Sequence, residues 1–267
     1  MGFVKSAEEI KHIQETLSEA HFMSAELLTF QYLTDPAIVD RVLPPGLEPT
    51  DQPLATVLMG QWGRSNVCHA FQGACLYVQA KHGDLVGDYC LAMQMSSDAA
   101  IIFGREVFGE PKKQGVTTLE RSGNLLKGSV TRYDQPVISA EAIMETRQGA
   151  SQGSMVNFHY KFMPRSDGQG LEFNPVLVAA KFETEIHHLE TGKGTLTLAN
   201  TELDPLGEIE IVKMLDVSYA ELDMRARCET LTEIDADAFM PYAYGKMDDF
   251  DIMNNEADVP GGRLQVG

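Results

Sequence analysis

Positive charge is scarce in this 267-residue chain, where 21 lysines and arginines face 39 aspartates and glutamates for a formal net charge of −18. A surface this negative repels phosphate backbones and anionic lipid headgroups, so binding to nucleic acid or a membrane surface is not expected. Apolar runs of about eighteen residues are missing, and the N-terminal MGFVKSAEEIKHIQ has no apolar leader core. These absences predict a soluble, cytoplasmic protein.

Cysteine is also sparse. Cys68, Cys75, Cys90 and Cys228 form no CxxC pair and show no framework spacing. A chain of this length can bury a sufficient core without disulfides. We therefore interpret all four as buried free thiols in a reducing compartment.

The N-terminal part predicts two helices and a strand. Residues 6–21 read as a helix that begins with a capping box formed by Ser6 and Glu9. Residues 26–34 alternate between apolar and polar, which is typical of a strand. An aspartate followed by proline then starts a short helix over 35–43.

Strand patterns separated by turn residues dominate the rest of the chain. Many strands with short connections predict one α+β domain over residues 1–267, mostly antiparallel β, with a curled or closed sheet, a few peripheral helices and an acidic tail over about 246–267. Turns are predicted at 121–124 and 191–194. The predicted strands cover 53–62, 68–80, 88–96, 116–121, 125–133, 137–147, 154–163, 176–189, 194–200, 208–218 and 220–231.

One helix interrupts the strands, and two adjacent lysines follow it. Ser97 is a suitable cap, and the helix is predicted to continue to about Gly109, because Pro111 disfavours helical backbone angles at the residue before it. Lys112 and Lys113 then lie in extended chain, where consecutive side chains point to opposite sides. Only one of the two lysines can easily point inward.

A buried lysine has a specific chemical use. A neutral amine attacks a ketone to form an iminium, which draws electrons from a neighbouring C–C bond; this requires a pKa depressed by desolvation or by a nearby cation. Phe103, Val107 and Phe108 are available to build an apolar pocket. The alternative is that both lysines are solvated or cap helix carbonyls.

Other motifs are interpreted as structural features without a catalytic or metal-binding function. The GxSxG pattern at 149–153 is followed by strand-like sequence, so a hairpin turn is expected rather than a nucleophile elbow. His187 and His188 have no metal-ligand spacing, and the adjacent Gly192-Lys193-Gly194 lacks the Walker pattern.

The segment GREx4PKK at 104–113 resembles the signature of the acetoacetate decarboxylase superfamily. LPPGLEP, GDYCLAM and DPLGEIEIVKMLDVSYAEL are similar to that family in type and order, and the resemblance covers about residues 24–230. It implies a cone-like antiparallel fold, a homo-oligomer and an imine-forming Lys112, with Lys113 as the neighbour credited with lowering the pKa of Lys112. It implies no cofactor and no metal, and a small-molecule carbonyl substrate.

The sequence departs from this family at three positions. The family carries an arginine in its first strand and two glutamates in the pocket. Matching by register places Ala25 at the arginine, Leu58 at the first glutamate, and Gln72 or Gly73 at the second. Acetoacetate itself is therefore not the expected substrate.

Other residues are candidates for the site. Some branches of the superfamily use a late tyrosine as a proton shuttle, and Tyr242 is the better match here; packing of the C-terminal helix is the alternative. Gln72 and Arg64 could bind a carbonyl or a carboxylate, and Phe108 and Glu110 lie next to the lysines as further substrate-contact candidates.

The resulting hypothesis is a lyase that uses Lys112 to form a Schiff base with a ketone or keto acid, of the aldolase, retro-aldolase or aldolase-dehydratase type. Simple β-keto acid decarboxylation is an alternative, and a non-catalytic barrel that binds an apolar ligand is a second.

Overall fold

The computed structural model describes residues 2–248. The helices are α1 (Ala7–Ser18), α2 (Pro36–Val42), α3 (Asp98–Phe103) and α4 (Ala236–Ala243), with a π-helical turn at Gly104–Phe108 and 3-10 turns at Leu206–Glu208 and Tyr244–Lys246. The strands are β1 (Ala20–Leu33), β2 (Glu48–Pro49), β3 (Leu54–Ser65), β4 (Phe71–His82), β5 (Leu85–Met95), β6 (Lys112–Gln114), β7 (Val116–Ser122), β8 (Leu125–Arg132), β9 (Gln135–Gln148), β10 (Ser151–Lys161), β11 (Val176–Leu198) and β12 (Lys213–Glu233).

Within residues 2–248 the twelve strands form one sheet that closes on itself. Strands β10-β5-β4-β3-β1-β12-β11 make a seven-stranded barrel, because β10 pairs with both β5 and β11. The pairs β5–β10 and β5–β6 are parallel, and the other ladders are antiparallel. Strands β9, β8 and β7 continue the sheet from the second half of β11. The predicted α+β, mostly antiparallel, closed fold is confirmed.

In two places a pair of predicted strands forms one long strand instead. The turn expected at 191–194 lies inside β11, and the strands predicted at 208–218 and 220–231 are one strand, β12. Glycines in β11 allow close packing rather than a turn: a Cβ on Gly192 would lie 2.8 Å from Met144 Cα, and one on Gly194 would lie 2.9 Å from Phe30 Cε1. The glycines at these positions therefore reflect close packing against β9 and β1, not a turn.

The N-terminal helix is shorter than predicted. Ser6 and Glu9 form the capping box, but the helix ends at Ser18 and β1 has begun by Ala20. Of the tail expected over 246–267, residues 249–267 lie outside the described residues, while Lys246 ends a helical turn. In residues 2–248, no helix is long and apolar enough to cross a membrane.

Alternate residues of the strands contribute to two separate apolar cores on opposite faces of the sheet. On β4, Leu76 and Val78 belong to the first core, whereas Cys75 and Tyr77 belong to the second. We call the second one the Lys112 core. Its larger members include Phe22, Leu27, Trp62, Phe71, Met93, Met95, Phe103, Phe108, Phe182, Leu222 and Met224.

Candidate active site

The lysine pair is positioned by a helix that widens before it stops. Helix α3 continues as a π-helical turn and ends at Gly109, whose φ of +76° is the left-handed conformation that suits glycine. The N–H of Glu110 then donates to Gly104 O at 3.0 Å. The chain enters β6 at Lys112, opposite Met93 of β5.

Lys112 points into the Lys112 core. Its side chain is 5% exposed, and Nζ lies 2.7 Å from Glu110 Oε2 and 5.8 Å from the centroid of the Phe71 ring. Gly104 leaves the space that this arrangement needs, because a Cβ there would come within 2.6 Å of Lys112 Nζ and would collide with Glu110 Oε2. The glycine is therefore required by the close approach of this pair.

The Lys112–Glu110 contact is a buried ion pair with spare bonding capacity. The Glu110 side chain is 7% exposed, and apart from the ion pair with Lys112 Nζ its Oε2 has no hydrogen-bond partner among the described residues. In a poorly solvated site the charged pair loses much of its advantage over the neutral pair, in which the proton has moved from the amine to the carboxylate. The arrangement places a proton acceptor directly beside the amine.

Lys113 points away from this core, as the alternation of the extended chain predicts. Its Nζ lies 3.1 Å from Asp248 Oδ1 and 3.8 Å from Asp204 Oδ1, and it donates to Leu203 O at 3.2 Å. Arg132 also contacts both aspartates. The charge of Lys113 is thus compensated on its own side of the strand.

Three candidate residues do not meet the lysine. Gln72 follows Phe71 on β4 and therefore faces the opposite side, and its backbone N–H donates to Ser96 Oγ at 2.8 Å. Arg64 is exposed and contacts Met23 Sδ. Tyr242 lines a separate cavity and packs against Phe239. Within residues 2–248, none of the three contacts Lys112 or Glu110.

Phe108 lies where its neighbours predicted. It is 2% exposed in the Lys112 core and its ring meets Phe103 edge-on at 5.0 Å. The core around Lys112 is thereby closed by aromatic side chains. These contacts keep water from the ion pair and support the desolvation that imine chemistry needs.

The positions matched to the family's arginine and glutamates also have apolar surroundings in the structure. Ala25 is fully buried and pairs with Trp62, and Leu58 packs against the same core. Gly73, which shares the face of Phe71, is filled by its neighbour: a Cβ on it would lie 2.6 Å from Met95 Cε. Of the two possible matches for the second glutamate, alternation therefore selects Gly73 over Gln72.

Two further polar residues, one partly buried and one fully buried, were not among the candidates from the sequence. Lys246 Nζ donates to Tyr160 O at 2.6 Å and to Gly109 O, and burial, reinforced by Arg105, lowers the pKa of Lys246 to about 7. His159 is 1% exposed, and burial lowers the pKa of its ring to about 4. The available signal was local: Lys246 ends the aromatic segment PYAYGK, and His159 alternates with apolar residues of β10.

The comparison with protein families decides the classification. The family described as "Acetoacetate decarboxylase (ADC)" matches residues 11–234. The chain belongs to this family. The segment 104–113, which resembles the family's signature, lies within the matched residues.

Proteins similar to this chain carry different names. The chain is 24% identical to a "CLA biosynthesis isomerase" of Lactiplantibacillus plantarum over 90% of its own length and 92% of that protein. It is 23% identical to the "Acetoacetate decarboxylase" of Clostridium beijerinckii over 76% and 84%. The structure of the enduracididine biosynthesis enzyme MppR, complexed with the condensation product of pyruvate and imidazole 4-carboxaldehyde, has the same fold, with a TM-score of 0.67, 20% identity, and coverage of 80% and 89%.

Proposed function

We propose that this protein is a Schiff-base enzyme in which Lys112 condenses with the carbonyl group of a ketone or keto acid. The observation that carries the proposal is the buried amine of Lys112, held 2.7 Å from a single carboxylate in an aromatic core. Membership of the acetoacetate decarboxylase family supports it.

In this proposal each side chain of the ion pair has a role. Glu110 takes a proton from the Lys112 ammonium, and the free amine adds to the carbonyl carbon. Loss of water gives an iminium, which accepts the electron pair of an adjacent bond and becomes an enamine. Protonation of the enamine carbon and addition of water then release the product and restore Lys112.

Our first candidate for the reaction is carbon–carbon lyase chemistry of the aldolase, retro-aldolase or aldolase-dehydratase type. Ala25, Leu58 and Gly73 leave no charge where the family's decarboxylases carry an arginine and two glutamates. The condensation product bound by MppR supports carbon–carbon bond formation on this fold. β-Keto acid decarboxylation remains the alternative.

A second candidate is isomerisation through the same enamine. The similarity to the isomerase covers 90% of this chain, against 76% for the decarboxylase. An iminium acidifies neighbouring C–H bonds, so a base such as Glu110 can remove a proton from one carbon and return it to another without breaking the carbon skeleton.

Borohydride trapping tests the shared step. Reduction in the presence of pyruvate, acetoacetate or a panel of other ketones and aldehydes should add the mass of the reduced adduct to Lys112. Lys112→Arg should abolish the adduct, while Lys113→Ala should retain it. Absence of an adduct with every compound of the panel would contradict the proposal and favour a non-catalytic, apolar-ligand-binding barrel.

Product analysis separates the candidates for whichever compound is trapped. Decarboxylation releases carbon dioxide, and a lyase of the aldol type releases or consumes an aldehyde. An isomerase incorporates deuterium from heavy water into an otherwise intact skeleton.

A further inference from the structure

A cavity of about 600 Å³ lies where strands β5 and β10 separate. In the described chain these two strands pair at just two positions, Asn157 with Asp88 and Phe158 with Tyr89. The cavity wall includes the consecutive residues 89–91 of β5 and 159–160 of β10. Because consecutive strand residues point to opposite faces, the cavity reaches both faces of the sheet.

The wall is aromatic and free of carboxylates. In a chain with 39 acidic residues, no Asp or Glu lines the cavity among residues 2–248, whereas Lys246 and Arg41 do. Arg41 is already paired with Glu208 at 2.6 Å. The apolar part of the wall consists of Val42, Tyr89, Leu91, Pro111, Tyr160, Phe162, Pro205, Phe239, Pro241 and Tyr242. This composition suits an apolar ligand and disfavours a cation.

His159 is a buried polar wall residue without a partner. Neither of its ring nitrogens has a hydrogen-bond partner within the described residues, and the side chain is 1% exposed. Buried polar groups are normally satisfied, so a ring left unpaired in a cavity wall indicates a ligand or water that hydrogen-bonds to it. Neutral imidazole offers one donor and one acceptor to such a ligand.

Lys246 lacks a counter-ion in the same wall. Its Nζ uses two hydrogens on Tyr160 O and Gly109 O, and an ammonium group has a third. Among the described residues, no carboxylate lies within ion-pair distance of this Nζ. An anionic oxygen in the cavity would satisfy the third hydrogen and supply the missing charge.

The cavity adjoins the Lys112 site. Gly109 and Pro111, which flank Glu110, both line it. The charges of Glu110, Lys246 and Lys112 each influence the pKa of His159, so this cavity residue is near enough to the Lys112 ion pair to interact with it electrostatically. The cavity wall therefore comes within one residue of Glu110, whose carboxylate contacts Lys112 Nζ at 2.7 Å.

We propose that this cavity binds the end of the carbonyl substrate remote from the reacting carbon, and that this end is a carboxylate carried on a hydrocarbon or aromatic body. Lys246 and His159 bind the carboxylate, and the aromatic wall binds the body. The inference rests on the proposed function of Lys112 and names its substrate class.

Calorimetric binding of 4-phenylbutanoate tests the cavity without imine chemistry, because this acid has no ketone. The wild-type protein should bind it, and Lys246→Met should weaken binding at least about tenfold, as expected for the loss of a charge-assisted hydrogen bond. Lys181→Met, which removes an exposed lysine from β11, is the matched control and should change the affinity less than about twofold. Equal affinities of Lys246→Met and the wild type, or no binding to the wild type, would overturn the proposal.

Comparison with 4-phenylbutanamide keeps the test independent of folding of the variant. In the wild type the neutral amide should bind at least about tenfold more weakly than the acid. An amide that binds as well as the acid would show that the cavity does not recognise a carboxylate, and would overturn the proposal.

Borohydride trapping with methyl keto acids of increasing chain length connects the cavity to Lys112. At one or two lengths the keto acid should be trapped more efficiently than the methyl ketone of equal length. Lys246→Met should remove this advantage, whereas the control Lys181→Met should keep it. Keto acids trapped no better than methyl ketones would overturn the connection. If acetone is not trapped at all, the proposed function fails, while the 4-phenylbutanoate measurement still decides whether the cavity binds acids.

Discussion

Replacing Glu110 with glutamine should destabilise the protein strongly, because it leaves the Lys112 ammonium buried without its counter-ion. The two side chains are 7% and 5% exposed and their charged atoms are 2.7 Å apart. Breaking such a pair by removing one partner costs about 3–5 kcal/mol. The isolated Lys112 ammonium can also be relieved by losing its proton. Deprotonating a lysine of ordinary pKa at pH 7 costs about 4.6 kcal/mol, and this value is therefore the upper limit of the destabilisation.

The double variant distinguishes an interaction energy from general damage to the core. Lys112→Met alone should also be destabilising, because it strands the Glu110 carboxylate. Combining Lys112→Met with Glu110→Gln removes both charges, so the stability should return to within about 1–2 kcal/mol of the wild type. The coupling energy from the four proteins should therefore be about 3 kcal/mol or more.

Urea unfolding at pH 7 measures all four free energies of unfolding. The matched control is the exposed pair Lys127–Glu141, at 2.9 Å with side chains 60% and 51% exposed. Its coupling energy should stay below about 1 kcal/mol, because water screens both charges. A loss below about 1 kcal/mol in Glu110→Gln, or a coupling energy equal to that of the control, would refute the buried-pair interpretation.

Three further predictions concern neighbouring residues. Lys113→Ala should reduce turnover by less than about tenfold, against complete loss in Lys112→Arg, because two carboxylates already compensate the charge of Lys113; steady-state kinetics check this, and equal losses would restore the neighbouring-cation explanation. Gly104→Ala should displace the ion pair and reduce the rate of borohydride trapping at least about tenfold, whereas Gly149→Ala, where a Cβ meets nothing within 4 Å, should not. The pKa of Lys246 is lowered from 10.5 to about 7, so between pH 10 and pH 7 it is mainly the unfolded chain that binds a proton at this lysine. The free energy of unfolding of the wild type, relative to that of Lys246→Met, should therefore be up to about 4 kcal/mol lower at pH 7 than at pH 10. Parallel stability curves for the two proteins from pH 7 to pH 10 would contradict that assignment.

Local signals predicted those parts of the fold whose causes are local. The capping box at Ser6, the aspartate cap at Asp35 and the turn at 121–124 each depend on residues a few positions apart, and all three are present. Gly192 and Gly194 misled the prediction because their function depends on Met144 and Phe30 of other strands. A glycine signals freedom or close approach equally well, and the sequence alone does not distinguish them.

The features of the site likewise divide into those that a local pattern predicts and those that depend on distant contacts. Alternation of the extended chain was sufficient to send Lys112 and Lys113 to opposite sides. Glu110 was a candidate because of its position beside the lysines, but its ion pair depends on the π-helical turn and on the space left by Gly104. The contact of Lys246 with Gly109 spans 137 residues of sequence, and no local pattern predicts a contact of that kind.

The apolar residues at positions 25, 58 and 73 and the Glu110 carboxylate have a common consequence for the proposed chemistry. With apolar residues at positions 25, 58 and 73, the core around Lys112 offers Glu110 as the neighbouring charge. In our proposal proton transfer is therefore served by a group from the same loop as the lysine, whereas the cation proposed to recognise an anionic substrate, Lys246, lies in the adjoining cavity. If both proposals hold, reaction and recognition are separated in space, and the substrate is longer than a simple β-keto acid, whose carboxylate is one carbon away from its ketone.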